Sequence, residues 1–146
     1  MNKKLVYKGH GICEVIKTET KFINSKLIQF NVLKVVDTQM VILVPEYSND
    51  LCRELISKED AKSILKDLKE VPMARVASEY SWQRRYRDFM ELIKTGYIEN
   101  YITVFKSLNY LISVKELSFG ERKMHDHVKD LLVAELSESL NLVVEL

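Results

Sequence analysis

Little in this chain of 146 residues is arranged for covalent or phosphate chemistry. It has no phosphate-cradling glycine loop, no Gly-x-Gly-x-x-Gly fingerprint and no Cys-x-x-Cys, which removes the commonest nucleotide, dinucleotide and zinc-ribbon readings. The only 2 cysteines, Cys13 and Cys52, are far apart in sequence and read as small core hydrophobes with reduced thiols. Histidines number 3. His125 and His127 stand two apart on an expected helix, so they face different ways and read as solvated surface groups. His10 is flanked by glycines and reads as a turn residue. With no nucleophile, base and orienting group in evidence, no enzyme, cofactor or metal site is expected.

Other scarcities bound the class. With 2 prolines and 4 glycines, long disordered linkers have little to be made from. No apolar run approaches the roughly 18 residues of a membrane span, and the start, Met1-Asn2-Lys3-Lys4, lacks an apolar signal core. A cytoplasmic protein is expected. Net charge is only +1, with 8 Lys/Arg against 6 Asp/Glu in residues 1–55 and 14 against 15 in residues 56–146. A nucleic-acid-binding domain usually carries an overall basic excess. Any such contact here has to come from a local patch, which limits non-specific affinity.

What is present changes character near residue 56. Before it, β-branched and aromatic residues form short runs separated by breakers. Leu5-Val6-Tyr7 precedes the turn signal Lys8-Gly9-His10-Gly11. From Ile12 to Lys17 the pattern alternates, with Ile12, Glu14 and Ile16 on one side and Cys13, Val15 and Lys17 on the other. Thr18 to Lys26 reads as a loop, Leu27–Val36 as a longer strand, and Asp37-Thr38-Gln39 as a tight turn. Met40–Val44 is a buried strand ended by Pro45. Four or five short antiparallel strands point to a small SH3-like or Tudor-like barrel.

After residue 56 the period is helical. Ser57 and Asp60 resemble a capping box, with Ala61, Ile64, Leu65 and Leu68 following at helical spacing and Val71-Pro72 ending the helix. A second helix is expected from about Ser81 to Thr95, with Gly96 just beyond its end. A third runs from about Ile98 to Val114 with Ile102, Phe105, Leu108, Leu111 and Ile112 as its stripe. Ser118 and Glu121 form a full capping box before a long fourth helix carrying Met124, Val128, Leu131, Leu132, Glu135 and Leu136. The fold class is therefore α+β: a β-rich module over 1–55, then a compact bundle of about four helices over 56–146.

One run carries candidate chemistry. Ser81-Trp82-Gln83-Arg84-Arg85-Tyr86-Arg87 sets three arginines and two aromatics at a helix start. Free N–H groups and forked guanidinium donors suit phosphate, and a flat aromatic suits a wedge into a base step from the minor groove. The competing reading is plain burial. Trp82, Tyr86, Phe89, Met90 and Ile93 fall on one amphipathic stripe, which makes Trp82 core and Arg84 and Arg87 a solvated face.

The sequence also resembles the CarD/CdnL family of bacterial RNA polymerase-binding transcription regulators along nearly its whole length. The resemblance rests on Val6-Tyr7 with His10-Gly11, Val32-Leu33-Lys34-Val35, Val44-Pro45 and Leu55-Ile56-Ser57-Lys58-Glu59. It continues in Trp82-Gln83-Arg84-Arg85-Tyr86-Arg87, in Leu117-Ser118-Phe119-Gly120-Glu121-Arg122-Lys123-Met124 and in Leu131-Leu132-Val133-Ala134-Glu135-Leu136. It implies an N-terminal module that binds the polymerase β subunit, with Lys21, Ile23 and Leu43 as candidate contacts by position. It further implies a helical domain that touches promoter DNA in the minor groove at the upstream edge of the transcription bubble. Trp82 is then the inserting residue, and Arg84, Arg85, Arg87 and Arg122 are the phosphate contacts. Two departures stand out: Lys8 where the family usually has proline, and Leu43 where some members carry arginine. The alternative function is a polymerase-binding module whose helical bundle is structural and never meets DNA.

Overall fold

A computed structural model describes residues 3–46, 49–76, 81–115 and 117–146. Two compact units divide the chain, Met1–Leu55 and Ile56–Leu146. The first holds a five-stranded antiparallel sheet and the second four helices, the α+β arrangement expected from the change of hydrophobic period.

The strands are β1 (Lys4–Tyr7), β2 (Gly11–Ile23), β3 (Lys26–Val35), β4 (Val41–Pro45) and β5 (Cys52–Arg53), in the spatial order β4-β3-β2-β1-β5. Gly9 and Gly11 adopt positive φ in the first turn, where His10 N–H donates to the Tyr7 carbonyl. Asp37–Gln39 turns tightly, with Gln39 at φ 62° and Val35 N–H donating to the Met40 carbonyl.

Two expectations for β2 are corrected. The stretch from Thr18 is not a loop: β2 and β3 continue paired out to Ile23 opposite Lys26, closed by Asn24 and Ser25, both at positive φ. Two central residues in the left-handed region match the twist of a two-residue hairpin, and asparagine tolerates that region. The alternation across Lys17 also fails. A bulge between Val15 and Lys17 sets Val15 opposite Leu33 but Lys17 opposite Val32, so Lys17 shares the face of Glu14. One extra residue moves every later side chain to the other face.

Cys13, Leu33 and Val44 are buried together, with Leu5, Tyr7, Val15 and Cys52 packed around them. Both cysteines are free. They are distant in sequence yet interact: a hydrogen bond between the thiols and burial push Cys13 up, while the same hydrogen bond and the Lys8 charge hold Cys52 below the usual thiol value.

The helical unit comprises α1 (Lys58–Glu70), α2 (Trp82–Lys94), α3 (Ile98–Val114) and α4 (Phe119–Leu140). Ser57 Oγ accepts from Asp60 N–H at 3.1 Å, so the expected cap of α1 forms. Gly96, at φ 76°, follows α2 as expected and donates to the Ile93 carbonyl. The core is built on α3 and α4, with Tyr101, Val104 and Leu108 against Val128, Leu132 and Leu136, all essentially inaccessible. Phe89 and Ile93 of α2, with Ala61 and Leu68 of α1, complete it. The α3 stripe is corrected at one end. Ile112 is 49% exposed, and the buried face runs through Ile98, Tyr101, Val104, Phe105, Leu108 and Leu111. Every α4 residue of the expected stripe is buried, Glu135 included, whose Oε2 accepts from Ile56 N–H at 3.0 Å and so anchors the entry to α1.

Candidate functional site

The starts of α2 and α4 meet. Each is capped by serine: Ser81 Oγ accepts from Arg84 N–H at 3.3 Å, and Ser118 Oγ from Glu121 N–H at 3.2 Å. Glu121 Oε1 returns the favour of the capping box by accepting from Ser118 N–H at 3.3 Å. Its other oxygen faces α2. Arg85 donates to Glu121 Oε2 through Nη2 at 3.0 Å and Nε at 3.3 Å. The Lys115 ammonium lies 3.8 Å from Oε1. Burial works hardest against ionisation of Glu121. The Arg85 hydrogen bonds, the Ser118 N–H and the charges of Arg85 and Lys115 together outweigh it and hold the carboxyl below its usual range.

One turn along α2, the Tyr86 ring lies beside Gly120, where an added Cβ would sit 3.4 Å from Tyr86 Cε2. Tyr86 in turn meets Trp82 edge-on, with centroids 6.4 Å apart and planes at 77°. Trp82 is not core. It is 48% exposed, standing at the first residue of α2 with its edge on Tyr86. The burial reading from spacing holds for Phe89 and Ile93, which are buried, and for Tyr86 and Met90, which pack half-buried against the core; it fails only at Trp82, in the first turn, where Arg85 takes the inward position.

The arginines divide. Arg84 and Arg87 are exposed, as is Arg122 at the start of α4. Arg85 differs from the expectation that it contacts phosphate: it is 8% exposed and its fork is engaged by Glu121. Sequence reasoning missed this pair. The available signal was Arg85 standing four residues before buried Phe89, together with a glutamate already placed by its capping box. Beyond Arg122, an open groove of about 450 Å³ is lined by Ile112, Lys115, Leu117, Arg122, His125 and Asp126.

His125 also departs from the surface expectation, whereas His127 is exposed. The His125 ring stacks on Phe105 at 5.3 Å and 13°, with Nε2 2.8 Å from Asn109 Oδ1. Burial lowers its affinity for a proton, partly opposed by Asp126 and aided by Lys129. A histidine whose value falls below the usual 6.5 on folding favours the neutral ring in the native state. Its stabilising contribution is complete above that value and is lost as pH falls below it. Thermal unfolding followed by circular dichroism between pH 7.5 and pH 5, on the order of one unfolded-state titration, is expected to show a drop in Tm that is smaller in His125→Gln.

In the N-terminal unit the three candidate contacts lie on one face. Register sets Lys21 opposite Ile28, Ile23 opposite Lys26 and Leu43 opposite Val32, and these β3 partners alternate along the same side. Ile23 and Leu43 are 40% and 42% exposed. Leu43 sits on β4, an edge strand.

Among the described residues no cluster of three or more His, Cys, Asp or Glu is placed to hold a metal, and no helix is long and apolar enough to cross a membrane. The helical unit presents an exposed tryptophan among exposed arginines at the starts of α2 and α4, and it is joined in sequence to a small antiparallel sheet. Residues 63–145 match the family model for the CarD C-terminal domain, and the chain belongs to the CarD family. It is also 27% identical over 134 residues to a Bacillus subtilis (strain 168) protein named "Putative transcription factor YdeB", spanning 90% of this chain and 86% of that one.

Proposed function

We propose that this protein is a transcription regulator that binds the RNA polymerase β subunit through its sheet and stabilises the promoter open complex through its helical unit. A CarD-like role in transcription follows from the family. The polymerase and DNA contacts are our reading, and the exposure of Trp82 at the capped start of α2 carries it.

In this mechanism the sheet docks on the polymerase, which raises the local concentration of the helical unit at the promoter. Ile23, Lys21 and Leu43 supply side-chain contacts, and the outer edge of β4 supplies backbone groups for strand addition. The helical unit then presents Trp82 to the unstacked step at the upstream bubble edge, entering from the minor groove. Arg84, Arg87 and Arg122 hold phosphates, while Arg85 ties α2 to α4. Phosphate contacts and a wedge read little base identity, so sequence specificity is low. Near-neutral charge fits a factor delivered by protein contact rather than by its own affinity for DNA.

The docking half is tested by Leu43→Asp in the full chain. Leu43 is exposed, so the fold is retained, and capture of purified polymerase on the immobilised protein is expected to fall about tenfold or more, as for loss of an interface hot spot. Undiminished capture removes this face of the sheet from the mechanism.

A further inference from the structure

The N-terminal unit holds a pair of side chains that the proposed mechanism does not use, its two cysteines. Cys13 lies on β2 opposite Leu5 of β1, and Cys52 on β5 lies opposite Tyr7 of the same strand. Leu5 and Tyr7 are two apart and share a face, so both cysteines project from that face, one on each side of β1. There they meet. Cys52 packs on the cluster of Cys13, Leu33 and Val44, and the two thiols are hydrogen-bonded to each other. Cys13 is fully buried, and its Sγ also donates to the Leu5 carbonyl at 3.6 Å. Cys52 is half-buried and lines an open groove of about 390 Å³ together with Lys3, Arg53 and Glu54. One thiol of the pair is therefore reachable from solvent and the other is not.

The pair is also polarised. The shared hydrogen bond and burial keep the proton on Cys13. At Cys52 that hydrogen bond and the Lys8 charge outweigh burial and favour the thiolate. The thiolate is the nucleophilic form, so Cys52 is the thiol that reacts. We infer that the two cysteines form a reversible oxidation site for hydroperoxides, with Cys52 as the attacking sulfur and Cys13 as the resolving one. The Cys52 thiolate attacks hydrogen peroxide: an S–O bond forms, the O–O bond breaks, and the leaving hydroxide takes up the proton that Cys52 gave up, as water. Cys52 is then a sulfenic acid. The Cys13 sulfur attacks it: the S–S bond forms, the S–O bond breaks, and hydroxide leaves with the Cys13 proton as a second water. Two thiols are oxidised to a disulfide and one peroxide is reduced to water. In a flat sheet, strands on either side of a common neighbour lie about 9–10 Å apart, beyond the roughly 7 Å between Cα atoms that a disulfide spans. Contact between the thiols means that the sheet curls here. Strand β5 is held to β1 by two residue pairs, so it is the strand able to close the remainder. A disulfide closed by moving backbone is readily reduced, which makes the modification reversible.

The test exposes the folded full-length protein to hydrogen peroxide, then unfolds it, alkylates it with N-ethylmaleimide and weighs it by mass spectrometry. Wild type is expected to escape alkylation at both cysteines, to weigh two hydrogens less than the reduced chain and to recover both thiols in dithiothreitol. In Cys13→Ala, Cys52 is expected to stop at the sulfenic acid and be captured by dimedone. In Cys52→Ala, Cys13 is expected to stay reduced under the same exposure. The wild-type result needs no substitution, and it is joined by native alkylation, in which Cys52 is expected to react before Cys13. Retention of both thiols in wild type overturns the site. So does a disulfide that forms only between chains, or native alkylation of Cys13 ahead of Cys52.

Discussion

Glu121→Ala is expected to lower the unfolding free energy of the helical unit by about 3–5 kcal/mol, the cost of leaving one partner of a buried ion pair uncompensated. Arg85 is 8% exposed and its two donors both point at this carboxylate. Without it the guanidinium keeps its charge, since arginine does not deprotonate in proteins, and has lost its water. The capping box goes at the same time, because Glu121 Oε1 also accepts from Ser118 N–H. Ser118→Ala separates the two effects: it removes the Oγ cap while retaining the ion pair, and is expected to cost only about 1 kcal/mol. Urea unfolding followed by far-ultraviolet circular dichroism measures both. The pH dependence has a definite sign. A carboxyl held below its usual range when folded stabilises at neutral pH, and that contribution is lost as pH falls through its folded value. The wild type is therefore expected to lose stability in acid faster than Glu121→Ala. A cost near that of Ser118→Ala would mean that the pair contributes little beyond its cap.

Much of this arrangement was legible in the residues, and the reasons differ from place to place. Ser57 with Asp60 and Ser118 with Glu121 announced their helix starts because a cap is a local event, settled within four residues. The α4 stripe was equally plain, since its period persists over 22 residues. What escaped was non-local. Strand β5 is only Cys52–Arg53 and exists because β1 offers it an edge, with Val6 opposite Arg53 and Tyr7 opposite Cys52. The bulge at Val15/Lys17 is invisible to alternation, because each half of the strand alternates correctly by itself. Arg85 looked like a surface arginine until Glu121 was brought to it from 36 positions away.

The site shows the same division. Nothing in the spacing of Trp82, Tyr86, Phe89, Met90 and Ile93 distinguishes a buried tryptophan from an exposed one at the first turn of a helix. Arg85 takes the inward position in the first turn, and Trp82 is left 48% exposed while the rest of the stripe packs inward. The resemblance had implied a presented tryptophan, and the exposure of Trp82 gives that reading a physical basis.

Trp82→Ala carries the other large expected effect, on function rather than on stability. With the ring about half in water and resting edge-on against Tyr86, its removal is expected to cost about 1 kcal/mol of folding stability, within the range of ordinary substitutions. Its expected contribution to the open complex is larger. A stacking contact made with melted DNA and not with the closed duplex supplies about 1–3 kcal/mol. Only this difference in affinity between the two states shifts the equilibrium. In lifetime that is roughly a five- to 150-fold effect. A structural role for Trp82 would produce the opposite ranking, with a large loss of stability and a lifetime that follows it.

The most direct measurement is the dissociation rate of polymerase open complexes after competitor challenge, with wild type or Trp82→Ala present at saturating concentration. Trp82→Ala is expected to shorten the lifetime at least about fivefold while polymerase capture and melting temperature stay close to wild type. An unchanged lifetime with capture retained would contradict the proposed wedge and leave the helical unit as scaffold.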